Sequence, residues 1–367
     1  MFIVKKILNI INIILAICLL LTYIPYHIDT DIFPKLTLLS YAYPFVLAGN
    51  VFFLLFWLIF SPRKRMLISA IVIALHLSFV FRLVNFSGKD KDGEKDIKVL
   101  TYNVRNFMHK LQDGNSEVKK DNMDSIIAYI HDSKADILCL QDYASATKDS
   151  SSFHYRLTKV LKYRYCYYFG KENKSGIRDC AIYSKYLIKE GGSIDSLSSR
   201  NYSLIYADLV IDDKVVRVYN LHLESYMLGE EEQDDYSRII HGDIHKKEEG
   251  KGILRKLIVA DSLKKEQLKT LIPNLQQTQI PYIVTGDFNS TPFSSVYKLF
   301  NKELSDAFVS KGSGIGRTYN GVFPAYRIDY IFYQKKFFKA KNYQSPALDF
   351  SDHYPVEAVF ELKTTKN

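Results

Sequence analysis

The first 85 residues constrain this chain more than any other stretch, because they hold three apolar runs of membrane-spanning length: Ile7 to Ile24, Leu36 to Phe60 and Met66 to Val84. A bilayer core takes roughly 20 helical residues, and only short polar connectors separate these runs. Three such runs in succession do not suit the core of a soluble domain. The pattern predicts three transmembrane helices, at about residues 7–26, 36–60 and 66–85, with two spans and an interfacial segment as the alternative. A cleaved signal peptide fits poorly, since no small-residue cleavage site follows the first run and two more runs come after it. Lys5 and Lys6 precede the first run and Arg63-Lys64-Arg65 follow the second, whereas the first connector sets Asp29 and Asp31 against Lys35. Basic loops stay inside, so the N-terminus is expected in the cytoplasm. Three spans then deliver the remainder to the outer face of a plasma or bacterial inner membrane, as a periplasmic or other extracytoplasmic domain.

Charge must be divided along the same boundary. The formal net charge is +9, but residues 1–85 carry seven Lys or Arg against two Asp, a net of +5, which leaves +4 for the rest. Half the basicity is topological, and a +4 domain is only weakly steered toward polyanions. Of four cysteines, Cys18 lies in the first run, and Cys139, Cys166 and Cys180 lie beyond the membrane region without metal-ligand spacing. That trio leaves room for one bridge and no disulfide framework.

Residues 87–95 are rich in Gly, Lys and Asp and read as a linker, placing a single domain over 96–367. That domain alternates strand and helix patterns. Ile97 to Tyr102 and Ile137 to Leu140 read as strands around a helix over Val118 to Ile130. Further strands are expected at Cys180 to Ser184, Leu204 to Val210, Val215 to Leu221, Tyr282 to Val284, Ile328 to Phe332 and Val356 to Glu361, with Asp212-Asp213 as a hairpin turn. Lys251 to Ile272 reads as a long amphipathic helix. Gly229 to Gly252 interrupts the pattern and reads as a solvated insertion, with a lid or substrate-contact loop as the alternative; His241 and His245 in it have helical metal spacing but no evident third ligand.

Polar residues recur where these strands end. Asn103 closes the first, Gln141-Asp142 the second, and Asn220-Leu221-His222 the hairpin strand. Gly286-Asp287-Phe288-Asn289 follows an apolar run, Arg327-Ile328-Asp329 opens the next strand, and Ser351-Asp352-His353-Tyr354-Pro355 precedes the last. Each has an ordinary reading as a cap or turn residue. Six at successive strand ends point instead to one cleft. Asp287 and Asn289, two apart in extended chain, would face the same side, where a carboxylate and a carboxamide can orient a water and accept its proton.

In order and wording these motifs resemble the endonuclease/exonuclease/phosphatase family of metal-dependent phosphodiesterases. The resemblance covers about Ile97 to Leu362, and Gly-Asp-Phe-Asn-Ser with Ser-Asp-His-Tyr-Pro-Val is its specific pair. It implies a four-layer α/β/β/α sandwich with the site where the strand-end loops of two sheets meet. It also implies Mg²⁺, or Mn²⁺ in its place, held by Asp142 where the family usually has Glu, with Asn103 helping to place it. Asp287 would orient or deprotonate water, and Asn289 would hold the water or a phosphate oxygen. His353, polarised by Asp352, would donate to phosphoryl oxygens; Asp329 would orient a neighbouring residue; His222 would contact the phosphate or protonate the leaving group. Arg178 is a weaker phosphate contact. The expectation is a membrane-anchored phosphoesterase acting on a lipid headgroup, a small molecule or nucleic acid. Alternatives are a nuclease proper and a non-catalytic binding module that keeps the fold.

Overall fold

The computed structural model describes residues 2–28, 33–60, 63–91, 93–107, 116–147, 149–169, 177, 179–194, 203–226, 247–321 and 326–363. The apolar N-terminal part forms α1 (Phe2–Leu21), a short α2 (Ile24–His27), α3 (Leu38–Phe60), α4 (Arg63–Leu75) and α5 (Leu77–Leu83). Two stretches, Ile3–His27 and Pro34–Phe60, are long and apolar enough to cross a membrane. The third expected span is not a straight helix: Lys64–Leu75 and Leu77–Leu83 meet at 70°, giving two spans, or three if the bent pair is one. The bend falls at His76, whose ring Nδ1 lies 2.8 Å from the Val72 carbonyl that also accepts the His76 amide. A side chain entering the helical ladder is one of the known causes of a kink. Polar groups inside the bundle pair with one another, as Ser69 Oγ does in donating to Asn12 Oδ1 at 2.6 Å.

After β1 (Val84–Phe86) the chain runs through β2 (Ile97–Asn103), α6 (Ser116–Ser133), β3 (Ile137–Gln141), β4 (Tyr165–Tyr168), β5 (Ala181–Ser184), β6 (Leu187–Ser193), β7 (Leu204–Ile211) and β8 (Lys214–His222). It continues with α7 (Lys247–Gln277), β9 (Tyr282–Asp287), α8 (Ser295–Asn301), β10 (Ser305–Asp306), β11 (Ser313–Ile315), β12 (Asp329–Tyr333), β13 (Phe338–Gln344) and β14 (Val356–Leu362). Two six-stranded mixed sheets result, ordered β13-β14-β2-β3-β5-β4 and β10-β12-β9-β8-β7-β6. Their apolar faces interdigitate: Val99 and Ile182 of one share a core with Ala207, Val218 and Ile331 of the other. On its outer face the first sheet packs against Ile126 and Ile130 of α6, and the second against Leu268 and Leu271 of α7 and Tyr297 of α8. This is the four-layer sandwich. Asp212 and Asp213 both take positive φ, 46° and 62°, as a two-residue hairpin between right-twisting strands requires.

Register explains why the strand ends converge. β2 and β3 run parallel with Asn103 beside Gln141, and β8 and β9 run parallel with His222 beside Asp287. Asp329 opens antiparallel β12 opposite Asp287. Gly286 lies inside β9 rather than in a turn after it: its φ is +129°, and a Cβ there would sit 2.0 Å from the Leu221 carbonyl oxygen.

The domain does not hang from a slack tether. Asp90, in the expected linker, donates its amide to the Lys341 carbonyl at 2.8 Å and accepts from Lys311 Nζ at 2.6 Å. Tyr43 of α3 packs against Phe293 with the rings tilted and 4.0 Å between centroids. Arg82 of α5, buried, donates to the Pro292 carbonyl and to the Tyr26 hydroxyl. Asn85 donates to the Phe308 and Val309 carbonyls, and β1 pairs with β11. One apolar cluster therefore runs from Leu19 and Tyr43 in the N-terminal helices to Phe288 and Phe332 beyond them.

Candidate active site

Asp287 closes β9 almost wholly buried, and three donors fix its carboxylate. Asn103 Nδ2 donates to Oδ2 at 2.9 Å, Asn289 Nδ2 donates to the same oxygen at 3.2 Å, and the Asn289 amide donates to Oδ1 at 2.8 Å. Asn289 takes φ 46°, so the two residues meet through an Asx-type turn and not as same-side neighbours on a strand. Leu223 accepts the other Asn289 side-chain proton at 3.0 Å.

Two imidazoles face this carboxylate. His353 Nε2 lies 3.7 Å and His222 Nε2 3.8 Å from Asp287 Oδ2, too long for direct hydrogen bonds but close enough for strong charge coupling. Behind each ring stands a second carboxylate on Nδ1. Asp329 holds His353 through both oxygens, at 3.0 and 3.1 Å, and Asp179 holds His222 at 2.5 Å. Burial opposes the imidazolium form, but Asp179, Asp287 and Asp142 outweigh it and lift His222 to about 9. Burial also opposes the imidazolium form of His353, and Asp329 and Asp287 raise it well above the ordinary histidine range. In both pairs the surrounding carboxylates favour the protonated ring. Tyr319 packs edge-on against the His353 ring at 5.2 Å.

Asp142 follows β3 on the rim of the same cleft, with φ 44°. Asn106 Nδ2 donates to its Oδ1 at 3.0 Å, and burial pushes its carboxyl above the usual range. Asn106 Oδ1 is itself buried without a hydrogen-bond partner among the described residues. A desolvated carboxylate beside an orphaned carboxamide oxygen is the hard-oxygen donor set that suits Mg²⁺ or Mn²⁺. A second group, Asp287, Asp329 and His353, brings ligand atoms within 4.8 Å of one another. Its oxygens are already engaged by the three donors on Asp287 and by His353 Nδ1, so the Asp142–Asn106 pair is the more available of the two.

The expected residues thus meet in one cleft, with three changes of partner. Asp329, not Asp352, polarises His353; Asp352 forms an ion pair with Arg105 at 3.0 Å. The reason is local: adjacent residues in extended chain point to opposite sides, so His353 turns away from the aspartate before it. Asn103 spends its amide on Asp287 and accepts the Arg105 amide on Oδ1 at 3.0 Å, which leaves the oxygen beside Asp142 to Asn106. Asp179 was not singled out from the sequence, although it stands one residue before the expected Cys180 strand. Arg178, His241 and His245 lie outside the described residues, as does most of the Gly229 to Gly252 insertion. None of the four cysteines forms a disulfide.

Residues 100–353 match the model of the Endonuclease/Exonuclease/phosphatase family, and residues 5–83 match a domain of unknown function. No curated protein matches the chain. Among solved structures, the human Nocturnin catalytic domain with bound sulfate anion aligns at TM-score 0.50 and 19% identity, over 74% of this chain and 97% of that one. An endonuclease/exonuclease/phosphatase from Beutenbergia cavernae aligns at 0.51 and 16%, over 73% of this chain and 72% of that one. A family protein from Bacteroides thetaiotaomicron aligns at 0.50 and 18%, over 73% and 98%. At these identities the likeness is one of fold.

Proposed function

The chain belongs to the endonuclease/exonuclease/phosphatase family and is a phosphoester hydrolase, and on that footing we propose that it uses a divalent cation and a water to cleave a phosphodiester or phosphomonoester at the outer face of a membrane. A cation held by Asp142 and Asn106, Mg²⁺ or Mn²⁺, would neutralise phosphate charge and stabilise the leaving oxygen. Asp287 orients the attacking water and takes its proton, with Asn103 and Asn289 keeping its carboxylate aimed. His353 donates to the phosphoryl oxygens as charge builds in the transition state, a preorganised role that Asp329 secures by fixing the ring. His222, held by Asp179, contacts the phosphate from the opposite side and can protonate the leaving group.

The observation that carries this reading is the convergence on one buried carboxylate of three amide donors and two imidazoles, each imidazole with its own aspartate. The test is a panel of phospholipids, phosphorylated small molecules and nucleic acids, run with Mg²⁺ or Mn²⁺ and with Asp287→Asn as the blank. Turnover that disappears in the variant is expected. Divalent-cation binding without turnover on any substrate would overturn hydrolysis in favour of a binding module.

Location is supported by docking. The domain meets the anchor at the connector end of the α1–α3 hairpin, where Lys298 Nζ reaches the His27 carbonyl at 3.4 Å. Lys5 and the end of α3 lie at the other end, joined through Lys5 Nζ and the Phe60 carbonyl. With the basic end inside, the domain is outside. A reporter fused after Ser87 should therefore be active only in the extracytoplasmic compartment. Seating against the membrane, with a domain charge of only +4, favours a lipid headgroup or small phosphoester over nucleic acid. Affinity that collapsed across decades between low and physiological salt would reverse that preference.

A further inference from the structure

The catalytic loop after Asp287 does more than turn the chain back. The Asn289 carbonyl accepts two donors: the part-buried Tyr226 hydroxyl, and the buried Lys264 Nζ of α7 at 2.5 Å. Lys264 also lies over the Tyr226 ring at 3.9 Å. The Tyr226 hydroxyl in turn meets the hydroxyl of Tyr41, in the first turn of α3 in the anchor. Proton counting gives this chain a direction. Tyr226 has one hydroxyl proton, and it goes to the Asn289 carbonyl, so Tyr41 must be the donor to the Tyr226 oxygen. Tyr41 has a second tie to the site, because its own carbonyl accepts the Tyr326 hydroxyl at 2.6 Å. Tyr326 stands three residues before Asp329, and Tyr41, Tyr326, Ile328 and Leu257 form one small apolar cluster. A single anchor residue is therefore bonded toward both strands that carry the buried carboxylates of the site.

We propose that Tyr41, which belongs to the membrane anchor, is a positioning residue of the active site: through Tyr226 it sets the Asn289 carbonyl, and through Tyr326 it sets the approach to Asp329. This rests on the assignment of Asp287 and Asn289 to the water-activating centre. The anchor is then an integral part of the catalytic machinery as well as a tether. Rates respond steeply to small displacements of such groups, because the oriented arrangement is itself much of the acceleration. Bonds in a directed chain also polarise one another, so breaking the outer link weakens the inner one.

The test uses the full-length protein in detergent micelles, with bis(4-nitrophenyl) phosphate as the soluble probe and saturating Mg²⁺ or Mn²⁺. Tyr41→Phe removes one hydroxyl and keeps the ring. It should lower kcat about tenfold with KM for the probe unchanged, because the substrate does not touch Tyr41. Tyr226→Phe should lower kcat at least as much, and the double variant should be no worse than Tyr226→Phe alone, since both links run through one hydroxyl. Tyr23→Phe removes a hydroxyl bonded to the Leu75 carbonyl within the anchor and should leave kcat unchanged. Wild-type kcat in Tyr41→Phe, or additive losses in the double variant, overturns the proposal. If Asp287→Asn is dead in the same assay while Tyr41→Phe is normal, only the positioning role falls. If Asp287→Asn stays active, the site assignment falls and the proposal with it. Should the probe not be turned over at all, amide exchange decides: Tyr41→Phe should speed exchange in 286–292 and Tyr326→Phe, which removes the bond to the Tyr41 carbonyl, in 326–330, and unchanged exchange in both segments sinks the idea.

Discussion

The two histidine–aspartate pairs are built in opposite senses across the same seam. His353 belongs to the first sheet, in the loop before β14, and takes its aspartate from β12 of the second. His222 ends β8 of the second sheet and takes Asp179 from the turn ahead of β5 in the first. Each pair therefore ties one sheet to the other, and Asp287 sits between them. They differ in rigidity. Asp329 is buried in a strand, with both oxygens on the ring and its amide bonded to the Thr318 hydroxyl at 3.1 Å. Asp179 has φ 63° in a turn, and its second oxygen is buried without a partner among the described residues. The same electrostatic unit is thus mounted once on the core and once on a loop, which makes the first the fixed reference and the second the adjustable member.

The comparison breaks completely only at its centre. Asp287→Asn removes the carboxylate both rings face and should lower kcat/KM by about 10³-fold or more, read on protein shown to be folded by circular dichroism. A variant within tenfold of wild type would mean that the two pairs do not serve one site. Next come the pairs themselves. His353→Gln and Asp329→Asn should each lose about 10²-fold, and Asp329→Asn should also melt earlier, since it leaves a buried imidazole without its partner. Asp179→Asn should cost only about tenfold, because its turn can shift where a strand cannot. Equal losses at Asp179 and Asp329 would erase the distinction between loop and strand mounting.

A smaller effect follows from titration. His222 is lifted from about 6.5 to about 9 in the folded protein, so the stabilisation from its carboxylate partners is complete below the unfolded value and is lost as pH rises through the folded one. In the chelator-treated protein the melting temperature should fall by about 5 °C between pH 6.5 and 9.5. His222→Gln should reduce that slope by about half, because His353 is raised over the same range and contributes the rest. A slope unchanged in the variant would assign it to other groups.

How much of this was legible in the sequence depended on whether the signal was periodic or spatial. The apolar runs and the strands with their polar ends followed repeating patterns, whereas the four-layer sandwich and the roles of the cleft residues were expected only from the resemblance of the motifs to a family. Which carboxylate serves which histidine was not legible, because Asp352 is next to His353 in sequence but on the other side of the chain, while Asp329 is 24 residues away and one hydrogen bond off. Asp179 and Asn106 were invisible for a related reason: both sit in left-handed backbone outside any repeat, at φ 63° and 48°. The bend at His76 was equally hidden, since no Pro or Gly marks it. Hydropathy reports that a run is apolar, not that it is straight.

The smallest expected effect concerns the residue that departs from the family's usual Glu. Asp142 adopts φ 44°, a left-handed conformation that Asp tolerates because its short side chain can hydrogen-bond locally, here with Asn106. Glu has no such compensation, so Asp142→Glu should cost about 1 kcal/mol of stability. The longer arm would gain reach toward the cation, but it would also displace the Asn106 amide from the carboxylate it now fixes. These changes oppose each other, and Mn²⁺ affinity measured by calorimetry should shift by less than about threefold. Tenfold tighter binding with no loss of stability would show that the backbone at 142 is not what selects Asp, and that the looser half of the cleft accepts a ligand the strand-mounted half could not.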